Sequence, residues 1–170
     1  EVRDPSRANG PAVELKAMEN PQGLIYVFMP PLGDLEDYPS NLIPGFYDRL
    51  VKALPSLQEH RCSYGEAGGF LKRVEEGTWP AHILEHLTLE LQNLAGIPGG
   101  FGKARDGDRR GVYKVMVSAN NEEVTLTALK YARDLYLALA QDTKDPVALV
   151  EEIVERVVER VVEWVVVEVV

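Results

Sequence analysis

Residues 79 to 96 read WPAHILEHLTLELQNLAG, and within them His82, Glu85 and His86 form an H-x-x-E-H pattern. In a helix successive residues advance about 100 degrees, so positions 82 and 86 fall one turn apart on the same side. Two imidazoles so placed reach one metal ion. Glu85, at the edge of that face, is then able to take a proton from water activated by the metal without ligating it. Zinc suits neutral imidazole ligands, lowers the pKa of bound water to about 7 and polarises a carbonyl, which is the chemistry amide hydrolysis needs. The residue order is that of the inverted zincins. The same spacing also arises by chance on ordinary helix surfaces, so the pattern needs a third ligand before it carries weight.

Three residues can supply that ligand: Cys62, His60, and Glu90, one further turn along the same helix. A residue from a separate segment completes a tetrahedron more readily than a third residue of one helix, and a thiolate is a good zinc ligand, which favours Cys62. Glu90 is then suited to orient a histidine from behind.

The elements that must hold these residues alternate along the chain. The run LIYVFMP, residues 24–30, is apolar, β-branched and aromatic, and reads as a buried strand. Ser40 or Asn41 is expected to cap a helix entered through Pro44, with Phe46, Leu50, Val51 and Leu54 at helical spacing until Pro55. GGFLKRVEEGTW predicts a second, shorter helix, and residues 79–95 a third, closed by Gly96. A glycine-rich, basic stretch, GIPGGFGKARDGDRRG, reads as a loop. GVYKVMVSA follows as a strand, and residues 121–140 as a further helix. Strands mixed with helices imply an α/β fold of the α+β kind, a small mixed sheet packed with amphipathic helices.

The basic stretch is not a P-loop. Five residues separate Gly96 from Gly102, and Lys103 is followed by Ala104 rather than Ser or Thr, so no nucleotide is expected. Gly99, Gly100 and Gly102 are expected to form a tight turn. Lys103, Arg105, Arg109 and Arg110 gather positive charge suited to carboxylates. Ser63 has no nucleophile-elbow context.

The last segment, DPVALVEEIVERVVERVVEWVVVEVV, repeats apolar doublets every four residues between charged pairs. Helix fits this better than strand, although valine is only a moderate helix former, so the helix must rely on packing. The chain therefore divides into an irregular segment 1–23, a folded unit 24–142 and a valine-rich helical appendage 143–170.

With 170 residues and 45% hydrophobic content, the chain can bury one proper core. Its net charge of -9 argues against a nucleic-acid partner, which needs a surplus of cations over a broad face. A single cysteine precludes an intrachain disulfide, and no apolar run spans a bilayer, so a cytoplasmic address without membrane contact is expected. The sequence leaves a homo-oligomer open.

The pieces PSNLIPGF, LQEHRCSYGEAGGF, EGTW, HILEHLTLELQ, GFGKAR and RGVY closely resemble the amino-terminal domain of cyanophycin synthetase, over roughly residues 24–140. Full-length members of that family join arginine to a poly-aspartate backbone with ATP-grasp and Mur-ligase-like domains, which would be this chain's partners in a full-length protein. The resemblance implies an amino-terminal domain that binds cyanophycin and, where H-x-x-E-H is retained, a metallopeptidase-like site that cuts the polymer into primers. His82, Glu85 and His86 match that motif, and Cys62 matches the cysteine of EHRCS. Each polymer repeat presents a guanidinium and a free carboxylate; Glu66, Glu75 and Glu76 suit the former, and Arg61, Lys103 or Arg105 the latter. Two competing readings share these residues: a noncatalytic polymer-binding module, and a zinc hydrolase of another amide.

Overall fold

The computed structural model describes residues 18–20, 23–28, 32–97, 101–107, 113–119 and 121–168. Four strands, β1 (Met18–Asn20), β2 (Gly23–Phe28), β3 (Gly102–Asp106) and β4 (Tyr113–Ala119), form one sheet in the order β1-β2-β4-β3. All described pairings are antiparallel, with Tyr26 opposite Val117 and Ala104 opposite Val115. The expected mixed α and β character is therefore present, but the sheet itself has no parallel pair among the described strands. Among the described residues five α-helices accompany it: α1 (Phe46–Ala53), α2 (Gly69–Glu76), α3 (Pro80–Leu94), α4 (Glu122–Gln141) and α5 (Pro146–Glu168).

The third helix lies at the centre. Pro80 opens it, where a missing N–H costs nothing, and Gly96 closes it in the left-handed conformation at φ 84°. It packs against α4, α5, β3 and β4. Ile83, Leu84, Leu87 and Leu91 are buried on it, and so are Glu85, His86, Thr88, Glu90 and Gln92. On the sheet, Val115 and Val117 are buried towards the helices.

Three expectations need correction. First, Ser40 and Asn41 do not cap α1, whose N-cap is Gly45. Ser40 is buried instead, donating to the Val74 carbonyl at 2.7 Å and accepting from the Thr78 N–H at 2.9 Å, which ties the turn before α1 to the segment leading into α3. Second, Met18–Asn20 is a strand where irregular chain was expected. Third, the basic stretch contains β3: its inward residues are Gly102 and Ala104, too small to produce an alternating apolar pattern. Gly99, Gly100, Arg109 and Arg110 lie outside the described residues.

Helix α5 is helical as expected, and its first half is built into the core through Val150, Ile153 and Val157. Beyond that point Val158, Val162, Val165 and Val166 are exposed. Of the apolar doublets at 149/150, 153/154 and 157/158, one residue in each is buried and the other only partly covered or exposed. This predicts an uneven response to truncation. Ile153→Ala should cost about 2–5 kcal/mol in urea unfolding, as for a core aliphatic, whereas Val165→Ala should stay within about 0.5 kcal/mol. Equal losses would contradict the docking of the helix.

Candidate metal centre

The burial of α3 sets the terms for its polar side chains, because a buried polar group without a partner costs free energy. Each of the four titratable residues on it meets one. His82 Nδ1 lies 2.8 Å from Thr78 Oγ1, one turn back, and His82 Nε2 lies 3.1 Å from Cys62 Sγ. With Nδ1–H donating to the threonine, Nε2 is left as a bare acceptor facing the thiol.

His86 is held differently. Its Nδ1 is 2.9 Å from His60 Nδ1, and His60 Nε2 is 2.6 Å from Glu90 Oε2. Ser56 donates to the other Glu90 oxygen in a short contact. With Glu90 accepting from His60 Nε2–H and His60 Nδ1 accepting from His86 Nδ1–H, the two contacts form one continuous series. His86 Nε2 is thereby also a bare acceptor. Glu90 thus supports His86 through His60 rather than directly. Burial pushes the Glu90 carboxyl up, but the hydrogen bonds from His60 and Ser56 outweigh it and hold Glu90 below the usual carboxylate range.

Cys62, His82 and His86 bring one ligand atom each within 4.8 Å of one another. Bonds of about 2.0–2.3 Å in a tetrahedron separate neighbouring ligand atoms by about 3.3–3.7 Å, so small adjustments suffice for an ion. The donor chemistry fits as well. Burial, reinforced by the nearby Arg73 guanidinium, holds His82 down to about 4. Burial and the neighbouring His82 and His60 hold His86 well below the ordinary imidazole range. Both rings are neutral at pH 7, the form that ligates. Cys62 has φ 54°, a left-handed conformation unusual for a residue with a side chain, within the turn Cys62–Tyr64 that presents it to His82. Phe70 stacks on His86 with ring centres 3.9 Å apart and meets His82 edge-on at 5.6 Å, forming an apolar wall behind the cluster.

Glu85 faces the same space. Its Oε1 is 3.9 Å from His86 Nε2, and burial pushes its carboxyl up to about 7, against the pull of a hydrogen bond from the Ala104 backbone. Gly102 lets β3 approach this close: a Cβ there would sit 2.5 Å from Glu85 Cγ and 2.7 Å from Oε1. Its role is close approach within a strand, not the tight turn expected of it.

A cleft of about 850 Å³ opens over the cluster. Of the expected substrate residues, Arg61, Lys103 and Arg105 border it, and Glu66 is exposed outside its lining. Lys103 and Arg105 lie opposite Met116 and Lys114 in the β3–β4 register, on the sheet face away from Val115 and Val117. Sequence reasoning missed Thr78, Ser56, Phe70 and Arg73. Only Thr78 left a signal, four positions before His82 and just ahead of the same helix.

Fold and site together define a class: an α+β domain in which two imidazoles of the central helix and a thiol from the separate turn Cys62–Tyr64 form a group that could hold a metal ion, with a buried carboxyl beside them. Residues 28–141 match the family described as the cyanophycin synthase-like N-terminal domain, and the chain belongs to that family. It is 56% identical over 92 residues to the cyanophycin synthetase of Geminocystis herdmanii, covering 54% of this chain and 10% of the relative. Against the cyanophycin synthetase of Crocosphaera subtropica it is 46% identical over 121 residues, 71% of this chain and 14% of the relative. The Synechocystis enzyme of the same name is 48% identical over 114 residues, 67% of this chain and 13% of that protein. The chain thus spans only a small part of the length of these relatives. No helix among the described residues is long and apolar enough to cross a membrane.

The close approach at Gly102 is testable by a double-mutant cycle. Gly102→Ala should lower stability by about 1–3 kcal/mol, the usual range for overpacking. In a Glu85→Ala background the same change should cost little, since the obstructing side chain is gone. An undiminished penalty there would show that β3 does not press on Glu85.

Proposed function

We propose that this domain binds cyanophycin and hydrolyses it to shorter chains at a zinc site formed by Cys62, His82 and His86, as part of a cyanophycin synthetase. The observation that carries the reading is the convergence of those three ligand atoms beside a buried carboxyl in an open cleft. Membership of the family supports the polymer as substrate. The relatives' name refers to synthesis, and the ATP-grasp and Mur-ligase-like domains expected to perform it are the intended partners of this one.

Cys62, His82 and His86 would hold a zinc ion, which when bound would supply Lewis acidity for the scissile carbonyl and for water. The chain's own residues do the rest. Thr78 occupies His82 Nδ1, and the series Ser56, Glu90, His60 occupies His86 Nδ1, which leaves the Nε2 atom of each ring available to the centre. Glu85, its carboxyl raised to about 7 by burial, is a competent base near neutrality. It takes the proton of the water whose oxygen attacks the amide carbon, then returns it to the amide nitrogen as the C–N bond breaks. Phe70 keeps the rear of the site dry. Arg61, Lys103 and Arg105, which border the cleft, attract the free carboxylates of the polymer, and Glu66 receives a guanidinium further along the surface. Weak contacts repeated along a polymer add up through avidity. The single free thiol suits a reducing cytoplasm.

Glu85→Gln separates binding from chemistry. It preserves size but removes the base, so metal and polymer binding should persist while turnover falls about 100-fold or more. The check is the chain-length distribution of cyanophycin after incubation with wild type, Glu85→Gln and chelator-treated protein, with binding measured on the same samples. Shortening by Glu85→Gln at the wild-type rate would exclude Glu85 as base. No shortening by metal-loaded wild type would leave a noncatalytic polymer-binding module, and cleavage of unrelated amides alone would mark a different substrate.

A further inference from the structure

Arg73 stands apart from the other cations around the cleft. Lys103 and Arg105 are exposed on the outer face of β3, and Arg61 is exposed with Nη1 donating to the Gly65 carbonyl at 3.3 Å. Arg73 is half-buried and lines the cleft, and its Nε is buried with no hydrogen-bond partner. No ion pair to its guanidinium exists among the described residues. Its field nonetheless reaches His82, where it disfavours the imidazolium. The adjacent Lys72 shows the ordinary alternative: it is exposed and rests its ammonium over the Tyr64 ring at 4.6 Å. Interaction with the C-terminal end of α2 needs only such an exposed cation, so it does not account for a half-buried guanidinium that lines the cleft with its Nε covered.

An N–H withdrawn from water without an acceptor is costly, and a planar fork of N–H donors is matched by a carboxylate. We infer that Arg73 is the carboxylate-binding residue of the cleft, holding a carboxylate of the amide substrate next to the Cys62, His82 and His86 cluster. This deepens the reading of the cleft as a cyanophycin site, and rests on it for the identity of the ligand. In that polymer the group is the free α-carboxylate of an arginine linked to the aspartate side chain. The isopeptide-linked arginine then enters carboxylate first, with Arg73 setting the register of the backbone over the cluster. Lys103 and Arg105, further out, contribute a diffuse attraction that salt screens.

The probes are β-aspartyl-arginine and the corresponding β-aspartyl-argininamide, which lacks the carboxylate. Titration calorimetry would compare them on wild type, Arg73→Gln and Arg73→Lys. Metal content and far-UV circular dichroism confirm that each variant remains folded. Wild type should prefer the acid by about tenfold or more, in keeping with a charge-assisted bidentate bond. Arg73→Gln should bind acid and amide alike, and Arg73→Lys should recover part of the preference because it restores charge without the fork. Full discrimination by Arg73→Gln, or no binding of the acid by wild type, overturns the assignment. Were Arg73→Gln to lose the fold, an Arg73→Lys variant with the full wild-type preference would overturn it equally. The hydrolase reading is scored separately by polymer shortening. Acid binding that depends on Arg73, without shortening, would keep the subsite and reject the hydrolysis.

Discussion

A helix enclosed by two other helices and a sheet cannot carry unpartnered titratable groups, and α3 carries four of them: His82, Glu85, His86 and Glu90. Much of the site follows from satisfying those groups. Thr78, just ahead of the helix, answers His82, the Ala104 backbone answers Glu85, and His60 answers both His86 and Glu90. Once their outward atoms are occupied, the two imidazoles have one unshared pair each, and those pairs face the same space as the Cys62 thiol. Burial also keeps the rings uncharged. The cost of enclosing polar groups and the readiness of the site to take a metal ion are two aspects of one arrangement.

The surrounding elements are placed accordingly. Gly102 allows the edge strand to lie against Glu85, which keeps the carboxyl buried and its affinity for a proton high. Ser40 pins the turn ahead of α1 to the entrance of α3, so the position of Thr78 is fixed from a distant part of the chain. The buried half of α5 closes the core on the far side through Ile153 and Val157. Among the described residues, half-buried Arg73 leaves its buried Nε without a partner, and it does so at the cleft.

The convergence of Cys62, His82 and His86 was legible in the sequence because helical spacing alone puts His82 and His86 on one side, and a thiol in a separate segment is chemically apt as their companion. The long helices were legible for the same reason, since their apolar residues recur with the helical period. Strand β3 was not, because the residues it turns inward are Gly102 and Ala104 and its outward ones are charged, a composition shared with loops. The His60 to Glu90 link spans thirty positions of sequence and depends on how the turn after α1 docks on α3. Arg73 was equally hidden: nothing in KRVEE distinguishes a half-buried arginine lining a cleft from one in solvent. The valine doublets of α5 are apolar on too many sides to reveal which half is buried.

The central claim is that Cys62, His82 and His86 together hold one metal ion. Elemental analysis of the purified chain, after zinc loading and removal of excess, tests it most directly when His82→Ala, His86→Ala and Cys62→Ala are measured alongside. The account predicts about one zinc per chain in wild type and loss of most of it in each variant, since two protein ligands rarely retain the ion. Full occupancy in both histidine variants would contradict it.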